Sequence, residues 1–150
     1  MEPHLNFMAL ICAALVPLFM GFIYYRPSVM GNAWMKANGF TKESMDTGHK
    51  PAVYLLALVA SFMLAFFMWG WVTGAGGIDT FQVTDPVDGH SYVTFSHGVF
   101  HGIAFSVLVL LPVFVTMKIF EKRSWPWAFV NWGYWSITVI LMNGILSAWR

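Results

Sequence analysis

Charge is scarce in this chain. Of its 150 residues, 10% are Asp, Glu, Lys or Arg and 58% are hydrophobic, whereas soluble domains are about one quarter charged. The core of one water-soluble domain does not need that much apolar surface. The net charge is only +1, which excludes a bulk electrostatic attraction to nucleic acid. Cysteine is nearly absent. Cys12 stands alone, so no intrachain disulfide and no Cys-based zinc site can form. No long apolar run contains a carboxylate, which argues against a carboxylate-driven ion pump. Walker, GxGxxG, HExxH and GxSxG patterns are missing, and with them the chemistries those motifs carry. No convincing internal repeat or low-complexity tract is visible. Met1 to Asn6 contain no Lys or Arg. Without a basic leader or a small-residue cleavage site, the first apolar run reads as a retained membrane span.

What is abundant is apolar length. A bilayer core about 30 Å thick takes roughly 20 helical residues to cross. Four stretches meet that requirement: 6–25, 51–73, 95–120 and 127–149. Pro17 predicts a kink in the first, and Pro112 interrupts the third. Pro51 opens the second, at a position where a helix tolerates proline. Dense Phe and Val content suggests strands, but runs this long are helices. Lipid also offers no partner for open backbone groups. The expected fold is all-α: one integral membrane four-helix bundle over residues 1–150.

The few charges set its direction. Arg26, Lys36, Lys42 and Lys50 follow the first run, and Lys118, Lys122 and Arg123 close the third. Segment 74–94 holds Asp79, Asp85 and Asp88 with no Lys or Arg. The positive-inside rule therefore places 26–50 and 118–126 in the cytoplasm, and both termini and 74–94 outside. Trp125, Trp127, Trp132 and Trp135 fall at the inner end of the fourth helix. Trp69, Trp71 and Trp149 mark the outer boundary. Amphipathic indoles favour both interfaces.

Two connecting segments carry local signals. Met30, Trp34 and Ala37 share a helical face, Asn38-Gly39 forms a C-cap signal, and Thr41 can cap a second short turn. This predicts a short interfacial helix on the cytoplasmic leaflet with Trp34 dipped into it; a mobile loop is the alternative. On the other side, Phe81 to Thr84 and Ser91 to Thr94 flank an Asp88-Gly89 turn. That pattern predicts a small external β-hairpin. Alone it is marginal, so it would lean on the helix ends or a partner.

The sharpest candidate for chemistry is Ser96-His97-Gly98-Val99-Phe100-His101-Gly102. His97 and His101 share one helix face, and His101 lies roughly 10 Å below the outer helix end. Gly98, Gly102 and Ser106 form a small-residue ridge beside them, and Gly144 with Ala148 forms another. Asn143 falls at a similar depth on the antiparallel fourth helix. Three readings compete. His97, His101 and Asn143 hydrogen-bond across helices and set the packing. Alternatively they form an outward-facing site for a small molecule, a proton or a headgroup. In the third reading the histidines bind a metal, with Met8, Cys12, Met68 or Met142 nearby to suit soft copper and with His4 or His90 as further ligands. A bis-histidine haem is disfavoured, because no other helix interior carries a histidine. No cofactor is expected otherwise.

A resemblance covers nearly the whole chain. Met20-Gly21-Phe22-Ile23-Tyr24-Tyr25-Arg26-Pro27 leads to Gly31-Asn32-Ala33-Trp34-Met35-Lys36 and Gly39-Phe40-Thr41. Lys122-Arg123-Ser124-Trp125 precedes the last helix, with Gly133-Tyr134-Trp135 inside it. This series resembles an uncharacterised bacterial membrane-protein family, domain of unknown function 1761. Members usually carry Trp-Tyr where Ile23-Tyr24 stands here, and Lys where Asn32 stands. The resemblance implies a small four-helix protein of the bacterial inner membrane and implies no activity.

The leading functional expectation is a non-enzymatic component that packs against itself or a larger envelope complex. The rival is a transport-related binding protein using His97 and His101. A lipid-directed enzyme has least support, resting only on Ser96 beside His97. The bilayer and a second copy or larger membrane complex are the expected partners.

Overall fold

The computed structural model describes residues 5–45, 50–74 and 93–149, with Lys42 and Met45 described by their backbone alone. Helix α1 spans Phe7–Tyr24 and runs through Pro17 without a break. Asn6 starts it, its side-chain oxygen accepting from the amides of Met8 and Ala9 at 3.0 and 3.2 Å. Two of the orphan donors of the first turn are thereby satisfied. Arg26 is extended ahead of Pro27, as the pyrrolidine ring demands. A π turn, Pro27–Gly31, then leads into α2, Asn32–Asn38. Gly39 ends α2 in the left-handed region at φ 71°, where lack of a Cβ removes the steric penalty. Helix α3, Lys42–Met45, is one turn, with Thr41 and Ser44 exchanging hydrogen bonds at its start.

Helix α4 spans Pro51–Thr73 and stops at Gly74, φ 70°. Gly74 therefore serves as a cap, although its spacing from Gly70 also fits a packing ridge. The third long element begins with α5, Phe95–Phe105, widens into a π turn at Ser106–Leu110, and continues as α6, Leu111–Phe120. Pro112 explains the widening. It has no N–H to give Leu108, and its ring presses on that carbonyl in regular α geometry. Helix α7 spans Trp125–Ala148. It starts two residues before the expected Trp127, because Ser124 caps it by accepting from the Trp127 amide at 3.2 Å and Pro126 fits the first turn.

Helices α1, α4, α5 with α6, and α7 supply four spans long and apolar enough to cross a membrane. Among the described residues there is no strand. Most of the expected hairpin lies outside the described residues. Its last two positions, Val93 and Thr94, lead into α5 instead, with Thr94 Oγ1 accepting from the His97 amide at 3.3 Å.

Helix α7 is central: α1, α2, α4, α5 and α6 all pack on it, and α1 also packs on α4. The apolar core joins Ala9, Leu10, Ala13 and Ala14 of α1 to Ala65, Met68 and Val72 of α4 and to Val139, Met142 and Leu146 of α7. All of these lie in the half of the bundle away from the basic segments. The α1 alanines let helix backbones approach closely, which is how helices associate without a hydrophobic driving force. Outward faces carry Phe19, Phe22, Leu56, Met63 and Leu108, each strongly exposed. In water such a surface would aggregate; in lipid it is the natural exterior.

The other end is held by aromatics. Tyr24 donates to the Val130 carbonyl of α7 at 3.0 Å, and Tyr134 of α7 donates to the Pro17 carbonyl of α1 at 2.7 Å. Gly133 leaves room for this exchange, since a Cβ there would lie 2.7 Å from the Tyr24 hydroxyl. Tyr25 packs between Tyr134 and Trp34, with ring centroids 5.0 and 5.2 Å away, and Phe40 follows Trp34 at 5.3 Å. Trp34 thus rests on rings of its own chain. A cleft of about 260 Å³ opens beside this cluster between α1, α4 and α7, with Pro17, Ser61, Tyr134 and Trp135 among its walls.

Candidate functional site: the seam between α5 and α7

The seam is built on absent side chains. A Cβ on Gly98 would fall on the Asn143 carbonyl and 2.7 Å from Ser147 Cβ. One on Gly102 would sit 2.5 Å from the Ile140 Cα. Opposite them, Gly144 receives the Phe95 ring, whose Cε2 would be 2.6 Å from an added Cβ. The two backbones therefore touch over about one turn, from Gly98 to Gly102. The polar contacts keep the same antiparallel register. Ser147 donates to the Thr94 carbonyl at 2.5 Å, and Ser106 and Ser136 hydroxyls meet at 2.6 Å.

Close approach puts the flanking histidines against protein. The His97 and His101 rings lie 4.4 Å apart, centroid to centroid, tilted by 44°. His101 is 1% exposed, and His97 is half-buried. Trp71 of α4 meets His101 edge-on at 5.6 Å. His101 is thus bracketed by Trp71 of α4 and by His97 and Phe100 of its own helix, while the glycine face beside it grips α7.

Asn143 is fully buried beneath Gly98. Its amide donates to its own helix at Val139, 2.8 Å, and across to the Met68 thioether of α4 at 3.2 Å. Its Oδ1 accepts no hydrogen bond among the described residues, and the Trp71 indole N–H donates none there. Met68 and Met142 belong to the core, Met8 is exposed, and Cys12 is a free half-buried thiol. Among the described residues no group of three or more His, Cys, Asp or Glu is placed to hold a metal ion. His4 and His90 lie outside the described residues.

The tryptophans divide between packing and the rim. Trp69 is part-buried beside Phe66 at 5.9 Å, and Trp71 adjoins the histidines. Trp127 is buried against Phe114 of α6 at 6.1 Å. Trp125 is exposed and stacks on Phe129 at 5.8 Å.

Two features escape a reading of residue types. The Ser106 carbonyl accepts both the Leu111 amide of the π turn and the Trp132 indole N–H, the latter at 3.0 Å. The signal for this was Pro112, which disturbs the helix one turn before itself. The Tyr24–Tyr134 exchange had no signal, because tyrosines near a helix end also suit the membrane interface.

A family model described as "Protein of unknown function (DUF1761)" matches residues 8–147. No curated protein and no solved structure matches the chain. The motif residues Tyr25, Trp34 and Tyr134 meet at the basic end of the bundle, whereas the histidine pair lies in the opposite half.

Proposed function

The chain belongs to the DUF1761 family, and on that premise we propose a non-enzymatic membrane protein that binds a small ligand, a proton or a metal ion through His97 and His101. The observation that carries this reading is the imidazole pair itself, with rings 4.4 Å apart and one of them buried. It sits within the first turns of a span long and apolar enough to cross a membrane. Ionisable side chains at such depth are rare and mark binding or proton-relay sites by default. Two imidazoles in contact can share one proton or supply two nitrogen ligands to one metal. Apolar side chains of similar volume would serve packing at least as well and would need no partners. In this reading the protein lies in a bacterial inner membrane, basic segments inward, with the pair in the outward half; the distribution of Lys and Arg supports that orientation.

Gentle purification from native membranes, with elemental analysis and a pH titration of binding, tests it. Zinc or copper(I) binding, or pH-dependent ligand binding, is expected and should vanish in His97→Ala/His101→Ala. A folded double variant that binds and functions as the parent does would sink the reading.

A second reading is favoured by α6, none of whose residues is buried. A helix half that is at most partly covered by its own chain suits a component that packs against its own copy or a larger envelope complex. A homo-oligomer or a stoichiometric partner in mild detergent would support it.

A further inference from the structure

We infer that the turn between α6 and α7 is a binding site for an anionic phospholipid headgroup, independent of the histidine pair. Three cations, Lys118, Lys122 and Arg123, fall within six residues of this turn. Lys118 Nζ lies 4.5 Å above the Trp125 ring, and the Arg123 guanidinium lies 5.5 Å from the Trp127 ring centroid. Arg123 Nε also pairs with Glu121 at 3.2 Å. Lys122 is exposed. The turn lies where two apolar spans end, the level at which headgroup phosphates sit. Trp125 is exposed there and brings the amphipathic indole that prefers this layer.

Lys122 carries the argument furthest. Its φ of 53° makes it the one non-glycine residue in the left-handed region among the described residues. It closes α6, with its own amide donating to Ile119 and the Arg123 amide donating to Lys118. Glycine is the usual residue at such a helix stop, because a Cβ crowds the backbone there. A lysine held there adds charge at a site that the backbone alone would give to glycine. The negative end of the α6 dipole accounts for Lys118 in the last turn. It gives no reason for a side chain with left-handed geometry at Lys122. Phosphate does, since clustered cations beside a span attract acidic lipid and form charge-assisted hydrogen bonds with its oxygens. The cation–π contacts pin two of the three charges against aromatic rings, which reduces the side-chain entropy lost when a headgroup binds.

The test uses the full chain in mild detergent and native mass spectrometry. Phosphatidylglycerol and phosphatidylcholine of equal chain length are titrated separately, with free glycerol phosphate as a third ligand. Phosphatidylglycerol should bind more tightly than phosphatidylcholine. Each cation removed should weaken it roughly fivefold, the effect of one charge near a membrane surface. Lys122→Gly should lose that factor while melting no lower than the parent, because glycine relieves the backbone. Lys118→Gln/Lys122→Gly/Arg123→Gln should erase the preference and leave phosphatidylcholine binding unchanged. Equal phosphatidylglycerol affinity in the parent and Lys122→Gly overturns the inference. So does glycerol phosphate binding as tightly as the lipid, which would make the site one for a soluble anion.

Discussion

The two halves of the third span are similarly hydrophobic and are covered to different extents. Helix α5 buries Gly98, His101, Gly102 and, at its end, Ser106. Helix α6 has no fully buried residue, although Phe114 packs on Trp127 of α7, and Ile119 and Phe120 stand exposed. Both halves are apolar, so hydrophobicity does not decide which is covered. Residue size does. In lipid the apolar exterior is already satisfied, and helices associate where small side chains let backbones touch. Helix α5 has such a ridge facing α7, and α6 has Val113, Phe114, Val115 and Met117 in its place. The polar residues follow the small ones inward: His101 is enclosed because Gly98 and Gly102 bring its helix close to its neighbours.

The largest expected effect attacks that difference directly. Gly98→Val places branched carbon on the Asn143 carbonyl, which belongs to the backbone of α7 and cannot rotate away. The helices must separate over the whole seam. Overpacking of a tight contact costs about 1–3 kcal/mol, and the upper end is expected here. Unfolding of the purified protein by a denaturing detergent, compared with the parent at fixed lipid content, reads the loss. A variant as stable as the parent would show that the seam is not close-packed.

An intermediate effect is expected at the basic end, where hydroxyl groups replace glycines as the means of attachment. Tyr134→Phe removes the bond to the Pro17 carbonyl and keeps the ring against Tyr25. The loss should be about 1 kcal/mol, measured in the same unfolding assay. The parallel Tyr24→Phe variant removes the bond to Val130. The two hydroxyls belong to one ring cluster, so the double variant should lose a different amount from the sum of the two single losses.

How much of this was written in residue types depends on which force acts. The four spans were legible because bilayer thickness imposes a length that few soluble segments reach. The stop at Gly39 was legible because glycine takes left-handed backbone without steric cost, whereas the last helix starts at Trp125, two residues before the expected Trp127, on the Ser124 cap. The small ridge at 98, 102 and 106 was legible by spacing alone. Its partners were not, because a helix apolar all round gives no sign of which face meets protein. That is why Trp71 beside His101, and Asn143 turned toward Met68, appear only in three dimensions. Trp34 and Trp127 are ambiguous for the same reason. An indole near a helix end suits the membrane interface and an aromatic cluster equally well, and both residues contact rings of their own chain.

The smallest effect is expected on α6. Ile119 is 57% exposed, at the end of a helix without a buried residue. Ile119→Ala removes apolar volume from a surface that lipid or detergent covers in either case. Transfer from lipid to lipid-facing protein has no hydrophobic driving force, so the change should stay within about 0.5 kcal/mol. Protein dilution sharpens the measurement. If α6 faces only lipid, the small change stays constant as protein is diluted in detergent. A loss of 2 kcal/mol or more that disappears on dilution would place a second copy of the chain against α6. The contrast between the two halves of the span would then belong to the isolated protomer, with α6 buried in the assembly against a second copy as α5 is buried against its own chain.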